Sequence, residues 1–249
     1  MVLFFLSLGS VIGVSLLSLL GIAFFLLEEK TVRGVLLYAV SFSTGAMLGD
    51  VFIHILPDMA AAPDFNQKLL VVLFGIVFSF AIEKIIHWRH CHAFPEQDHD
   101  HHHDIGIMSS MGESVHNFID GVVIAASFMA GIPIGISTTL AVVFHEIPHE
   151  IGNFAVLLHS GFSRKKAVLF NALSAGTAII GTLSVFAFSG SHAFSNQLLP
   201  FAAGNLLYIA GSDLIPELHK ETLWKKSVIQ LLALIAGMGL MYLILKMEG

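Results

Sequence analysis

The sequence predicts an all-α membrane protein with eight transmembrane helices. Of its 249 residues, 55% are hydrophobic and only 12% are charged, whereas soluble domains carry about 25% charged residues. Apolar runs of bilayer length, about 20 residues each, recur along almost the whole chain. We therefore expect residues 1–249 to form a single transmembrane domain, surrounded by lipid and without a nucleic-acid partner.

Eight candidate spans follow from these runs, numbered here in chain order. They cover approximately 3–27, 34–60, 68–88, 107–130, 133–159, 165–189, 197–219 and 226–246. The first span follows no basic segment and precedes no small-residue cleavage site, so we expect a retained helix and not a signal peptide. The single Cys91 predicts no intrachain disulfide.

Lysine and arginine are distributed asymmetrically between the two ends of these spans. If the N-terminus is outside, only Lys68 and Lys246 lie on the outer side. The inner side then holds Lys30, Arg33, Lys84, Arg89, Arg164, Lys165, Lys166, Lys220, Lys225 and Lys226. Because cytoplasmic loops are enriched in basic residues, this distribution predicts that both termini lie outside, as an even number of spans requires.

Spans 2 and 7 contain an internal repeat with a constant offset of 159 residues. The matched pairs are Phe42 with Phe201, Gly45 with Gly204, Leu48 with Leu207, His54 with Asp213, Pro57 with Pro216 and Asp58 with Glu217. Spans that are an odd number apart cross the membrane in opposite directions. The sequence therefore predicts an inverted repeat, spans 1–3 and 6–8 flanking spans 4–5, with a substrate site near the midplane.

Residues 89–106 form the one long polar segment, on the predicted cytoplasmic side. Its histidines are His90, His92, His99, His101, His102 and His103. Neutral imidazoles bind transition metals, and the segment lacks apolar residues around which to fold, so it is typical of a disordered, metal-binding loop. A solvated linker of biased composition is the alternative.

Two ionisable stripes occur inside spans 4 and 5. Span 4 contains HNFIDG from His116, and span 5 contains HEIPHE from His145. At 3.6 residues per turn, His116 shares a face with Asp120, and His145 shares a face with His149. Because so many ionisable groups facing lipid would be costly, we expect the stripes to face each other around a divalent cation.

The types of ligand favour zinc. Three imidazoles and one carboxylate, from His116, Asp120, His145 and His149, suit four-coordinate Zn²⁺. Fe²⁺, Mn²⁺ and Cd²⁺ stay open, because mixed nitrogen and oxygen sites select by geometry and availability. A second, more oxygen-rich position would use Asn117, Glu146 and Glu150. The alternative to a metal site is a buried hydrogen-bond network.

Spans 2 and 7 supply further polar positions at four-residue spacing. These are Asp50, His54 and Asp58 in span 2, and Asp213 and Glu217 in span 7. They are typical of residues along an ion route, although solvation of a helix end also explains those near the span termini. HEIPH also matches H-E-x-x-H, so an intramembrane zinc metalloprotease is the alternative function.

Four motifs in order resemble the signatures of the Zrt-/Irt-like (ZIP) divalent-metal transporters, in the subfamily with HExPHE in its fifth helix. They are GDVFIHILPD, HNFIDGVVIAASF, HEIPHEIGNFAVLLHSG and YIAGSDLIPE. The resemblance implies a transporter, not an enzyme, that carries zinc or a related ion into the cytoplasm. It also implies that the ionisable stripes of spans 4 and 5 supply the transport-site ligands. Other ZIP branches place a glutamate on the sixth helix, where this chain has Ala178.

The overall expectation is zinc uptake into the cytoplasm by alternating access, with Zn²⁺ as the transported substrate. The sequence leaves open whether the protein forms a homodimer. It also leaves open whether the membrane is a bacterial inner membrane, an organellar membrane or a plasma membrane.

Overall fold

The computed structural model describes residues 1–21, 29–92, 101–188 and 192–248, and within these ranges it contains helices and no strands. Eight helical rods follow one another. They are α1 (Val2–Gly21), α2 (Glu29–Gly49, then Asp50–Ile55 and Leu56–Ala60), α3 (Phe65–His92), α4 (His101–Ala130), α5 (Ile132–His159), α6 (Arg164–Phe188), α7 (His192–Tyr208, then Ile209–Leu214 and Ile215–Leu218) and α8 (Trp224–Glu248). The all-α prediction is confirmed.

Four stretches in the described part of the chain are long and apolar enough to cross a membrane: Leu37–Ala60, Arg164–Phe188, Gln197–Leu218 and Trp224–Met247. The window in α8 is only 17% buried, so its apolar side chains point outward, where lipid would cover them. Helices α4 and α5 fall outside this group although both exceed 25 residues, and their sequences contain the ionisable stripes. An integral membrane protein is therefore supported.

The polar segment 89–106 is helical at both ends. Helix α3 continues to His92 and α4 begins at His101. The drop in hydropathy at this segment indicates where the lipid ends, but a helix can extend beyond that point into water. Residues 93–100 lie outside the described residues. The side chains of all six loop histidines also lie outside the described part, so their metal binding stays a prediction.

Helices α2 and α7 each contain a π-helical segment followed by a proline. The segments are Asp50–Ile55 and Ile209–Leu214, and the prolines are Pro57 and Pro216. Proline has no N–H, and its ring crowds the carbonyl four residues earlier. A wider turn relieves that crowding, and π-helical turns of this kind are frequent at functional sites. The segments carry Asp50, His54 and Asp213.

Glycines let three helix pairs approach closely. A Cβ at Gly45 of α2 would overlap the carbonyl oxygen of Leu234 in α8, and a Cβ at Gly204 of α7 would overlap that of Val72 in α3. In the same way, a Cβ at Gly121 of α4 would overlap the carbonyl oxygen of Ala178 in α6. Lipid tails are as apolar as hydrophobic side chains, so the hydrophobic effect does not drive helices together inside a membrane. The helices associate through such close van der Waals contacts instead.

The helices form two groups. Helices α1, α4, α5 and α6 pack against one another, whereas α2 packs mainly on α8, and α3 on α7. Polar contacts also join the first group, since the Asn153 side chain donates to Asn171 Oδ1 at 2.9 Å and Thr177 donates to the Ser114 carbonyl at 2.6 Å. We call the first group the central bundle and the second the flanking bundle.

Candidate metal centre

The two ionisable stripes meet inside the protein, between α4 and α5. His116 and Asp120 project from α4 toward His145 and Glu146 of α5. His145, Glu146 and Asp120 are each at most 2% exposed, and His116 is partly buried. The stripes of α4 and α5 therefore face each other inside the protein.

Four atoms, one from each of these side chains, converge on one point. His116 Nε2 lies 3.2 Å from His145 Nε2 and 3.3 Å from Glu146 Oε1. His145 Nε2 lies 3.1 Å from Asp120 Oδ2 and 3.5 Å from Glu146 Oε1, and His116 Nε2 lies 3.7 Å from Asp120 Oδ2. One carboxylate oxygen of Asp120 and one of Glu146 lie within 4.8 Å of each other in the same set.

These distances match the edges of a zinc tetrahedron. Ligand atoms placed about 2.0–2.1 Å from a tetrahedral zinc ion lie about 3.3–3.4 Å from one another, and the five distances given above average about 3.4 Å. Five of the six distances among the four atoms are therefore close to those around one zinc ion, and the sixth, between the two carboxylates, is within 4.8 Å.

The carboxylates of the centre have little hydrogen bonding. Both carboxylate oxygens of Asp120 and both of Glu146 are buried and accept no hydrogen bond of acceptable geometry. Buried oxygens of this kind are destabilising unless a donor or a cation contacts them. A divalent cation among the four ligand atoms would supply that contact and neutralise both carboxylates.

His149 does not join the converging set. Its ring stacks on the His116 ring, with centroids 4.5 Å apart and planes 8° apart, and its Nδ1 lies 3.1 Å from Glu113 Oε1. Glu146 occupies the place that the sequence assigns to His149 in the four-ligand set. Although His145 and His149 share a helical face, the second imidazole contacts Glu113 instead.

Glu113 is the site residue that the sequence analysis missed. It is 4% exposed and lies one turn before His116 on α4, so the stripe begins earlier than the HNFIDG motif. Asn117 donates to the Glu113 carbonyl oxygen at 3.1 Å and to its carboxylate at 3.4 Å. The signal was present, because Glu113, Asn117 and Asp120 follow helical spacing on one face.

A group of three carboxylates adjoins the metal centre. Glu113, Glu146 and Glu150 bring one oxygen each within 4.8 Å of one another, and all three side chains are buried. Both oxygens of Glu150 lack hydrogen-bond partners. Three close carboxylates repel one another unless protons or a cation intervene, and an all-oxygen set suits a harder cation than zinc. We call this set the carboxylate group.

Of the three route residues predicted in α2, only Asp50 has a hydrogen bond with α5 among the described residues. Asp50 is fully buried and accepts hydrogen bonds from Ser137 at 2.7 Å and Thr138 at 2.6 Å. His54 lies one turn further along, with Nδ1 3.5 Å from Asp50 Oδ1. Asp58 is exposed and lines a separate small cavity beside Lys68. Asp50 therefore connects the two bundles near the N-terminal end of α5.

The route residues of α7 line a large cavity beside the centre. This cavity has a volume of about 700 Å³ and extends from Glu113, His145 and His149 to the C-terminal end of α7. Asp213 and Glu217 both line it, and Glu217 forms an ion pair with Lys220. The cavity therefore connects the metal centre to one end of the molecule past both acidic residues.

The sequence of the chain matches a known family over most of its length. Residues 2–110 and 95–245 match the profile described as the ZIP zinc transporter. The chain belongs to the ZIP family.

It is 32% identical to the zinc transporter ZIP13 homolog of Drosophila melanogaster, a match that covers 81% of this chain and 75% of that protein. It is 30% identical to zinc transporter zipt-7.1 of Caenorhabditis briggsae, over 97% and 79% of the two chains. It is 32% identical to zinc transporter YKE4 of Saccharomyces cerevisiae, over 82% and 69%.

The ZIP relationship and the geometry of the site both disfavour a protease. In a zinc protease with H-E-x-x-H, both histidines hold the metal and the glutamate is the free general base. Here Glu146 converges with His145, whereas the second histidine contacts Glu113. The relatives compared above are named as zinc transporters, and the chain is a transporter, not an enzyme.

Proposed function

We propose that this ZIP protein carries Zn²⁺ across a membrane by alternating access, into the cytoplasm, through the centre formed by His116, Asp120, His145 and Glu146. The tetrahedral spacing of the four ligand atoms is the observation that carries the proposal. Three of the four ligand side chains are buried, so a bound ion would exchange most of its water for protein ligands.

Alternating access is supported by the division into two bundles. The four ligands of the centre belong to α4 and α5, in the central bundle, whereas Asp50, Asp213 and Glu217 belong to the flanking bundle. A shift of one bundle along the other would carry the centre from the Asp50 end toward the Glu217 end. The hydrogen bonds from Ser137 and Thr138 to Asp50 cross the boundary between bundles, so this shift would break them.

An inverted repeat is supported by structural matches at the offset of 159 residues seen in the sequence. The π-helical segment at Asp50–Ile55 reappears at Ile209–Leu214, and the start of α3 at Phe65 reappears as the start of α8 at Trp224. The close contacts correspond as well. Gly45 packs on Leu234. Gly204, which lies 159 residues after Gly45, packs on Gly75, which lies 159 residues before Leu234.

The direction of opening follows from the proposed orientation. The positive-inside distribution puts the Lys220 end of α7 in the cytoplasm and both termini outside. The large cavity reaches that end, so this conformation would release an ion inward. On the opposite side, Asp50 is enclosed by Ser137 and Thr138.

Zinc is the substrate that the ligand chemistry favours. Two imidazole nitrogens and two carboxylate oxygens in a tetrahedron suit Zn²⁺, while Fe²⁺, Mn²⁺ and Cd²⁺ would compete according to geometry and availability. The carboxylate group would serve as a second, transient position. Glu113 and Glu150 would there supply the charge that α6 lacks at Ala178.

Zinc influx into proteoliposomes tests the proposal. Purified protein is reconstituted with a zinc-sensitive dye inside, and influx is followed after zinc is added outside. We expect saturable influx with the natural protein and with Asp64→Asn, which removes a carboxylate at the start of α3. Asp120→Ala should abolish influx while the protein remains in the membrane. Influx by Asp120→Ala at the natural rate would refute the assignment of the site.

A further inference from the structure

The contact between Glu113 of α4 and His149 of α5 determines which nitrogen of that imidazole can bind a metal. The two carboxylate oxygens of Glu113 lie 3.1 Å and 3.0 Å from His149 Nδ1. A carboxylate has no proton to donate, so Nδ1–H is the donor. A neutral imidazole that carries its proton on Nδ1 has its free lone pair on Nε2. The contact therefore leaves Nε2 as the metal-binding nitrogen.

The Nε2 atom of His149 is accessible and has no partner. Among the described residues it takes part in no hydrogen bond, and it is not one of the buried polar atoms that lack one. The His149 side chain is 34% exposed, whereas that of His145 is fully buried. His149 lines the large cavity together with Glu113. This cavity is the proposed route of release, so an ion on that route can reach the imidazole.

His149 also borders the metal centre. Its ring stacks on the His116 ring, with centroids 4.5 Å apart and planes 8° apart. His116 Nε2 is one of the four converging ligand atoms. The accessible imidazole therefore lies one ring-stacking distance from a ligand of the centre, and it contacts the centre and the cavity at once.

Glu113 is itself held in place on α4. It is only 4% exposed, and the Asn117 side chain donates to its carbonyl oxygen at 3.1 Å and to its carboxylate at 3.4 Å. Histidines that bind metals usually donate their second ring N–H to a carboxylate or a carbonyl, which fixes the tautomer and the orientation of the ring. Glu113 stands in that relation to His149, although the sequence analysis did not single it out.

We infer that Glu113 is a positioning residue for zinc release: it holds the His149 imidazole with Nε2 free, so that this nitrogen receives the ion as it leaves the metal centre. The inference rests on the proposed function and adds a step to it. The ion exchanges the ligands of the centre for one imidazole that borders the cavity, and then exchanges that imidazole for water. Glu113 takes part in this step through His149, without binding the ion itself.

Nitrogen NMR on the full-length protein, isotope-labelled at histidine, tests the tautomer directly. The spectra are recorded without zinc in mildly alkaline medium, where imidazoles are neutral, and the signals that are lost in His149→Gln belong to His149. We expect a proton on Nδ1 and none on Nε2 in the natural protein, and loss of this preference in Glu113→Leu. A proton on Nε2 in the natural protein, or an unchanged tautomer in Glu113→Leu, would overturn the inference.

Zinc influx into proteoliposomes tests whether Glu113 acts through His149. Glu113→Leu should lower the maximal rate about tenfold to a hundredfold, as expected when the partner that orients a metal-binding histidine is lost. Glu113→Gln keeps an oxygen that can accept from Nδ1 and should recover a large part of that loss. The double variant Glu113→Leu with His149→Gln should be no slower than His149→Gln alone, because two residues that act as one unit are not additive.

The alternative is that Glu113 acts by its charge in the carboxylate group. In that case the losses would multiply in the double variant and Glu113→Gln would be as slow as Glu113→Leu, and either result would refute the positioning role. Asp64→Asn is the charge-loss control, and size-exclusion chromatography confirms that each variant is folded.

The two experiments separate this inference from the transport proposal. If the natural protein moves no zinc, the transport proposal fails, and the NMR spectra still decide whether Glu113 positions His149. If the natural protein moves zinc and Glu113→Leu does so at the natural rate, only the role of Glu113 is refuted.

Discussion

Two arrangements of the metal centre differ in the fourth ligand, which is Glu146 in one and His149 in the other. The structure places Glu146 Oε1 3.3 Å and 3.5 Å from the two imidazole nitrogens of the centre. It places His149 Nδ1 3.1 Å from Glu113, outside the set. Glu146→Gln and His149→Gln therefore test the arrangement with the same introduced side chain.

The expected magnitudes follow from the number of ligands. Binding of zinc by four protein ligands is worth about 10–16 kcal/mol, or about 2.5–4 kcal/mol for each ligand. Loss of Glu146 as a ligand should therefore weaken zinc binding about a hundredfold to a thousandfold. His149 contacts the centre through its stack on His116, and residues that orient a ligand change metal affinity by about tenfold to a hundredfold.

Competition with a chromophoric zinc chelator measures both affinities on purified protein. Size-exclusion chromatography and circular dichroism confirm that each variant is folded, and Asp64→Asn serves as the charge-loss control. We expect Glu146→Gln to weaken binding by about ten times more than His149→Gln. A larger loss with His149→Gln would show that the imidazole is the fourth ligand. Equal losses would contradict the assignment of Glu146 as the stronger contributor.

Three further predictions concern packing, the bundle boundary and the polar segment. Gly121→Ala should lower the free energy of unfolding by about 1–3 kcal/mol, because the new methyl group meets the α6 backbone. Gly9→Ala is the control and should not destabilise the protein, because nothing lies within 4 Å of a Cβ at Gly9. Thermal unfolding in detergent measures both variants. Thr138→Val removes a hydrogen bond to the buried Asp50 carboxylate and should cost about 1.5–3 kcal/mol by the same assay; an unchanged melting temperature would contradict this. Deleting residues 95–103 should change the rate or regulation of zinc influx without abolishing it, and complete loss of influx would show that the segment is part of the transport route.

Part of the site could be predicted because helical spacing and the cost of charge in lipid act locally. His116, Asp120 and His145 follow from two motifs and the rule that intramembrane ionisable groups face one another. The exchange of His149 for Glu146 could not be predicted, because both residues lie close to the same face of α5. In the structure His149 contacts Glu113, which belongs to another helix, and Glu146 lies with His116 and His145.

The sequence by itself determined the fold class and the ZIP family. It also indicated the two helices that hold the centre and the 159-residue offset of the repeat. These properties are encoded along the chain, in hydropathy, helical periodicity and motif order. Only the tertiary structure decided which atoms converge, which helices group into bundles and where the cavities lie. The physical reason is that rotamers and helix contacts depend on residues far apart in sequence, such as Gly45 with Leu234 and Tyr208 with Glu83.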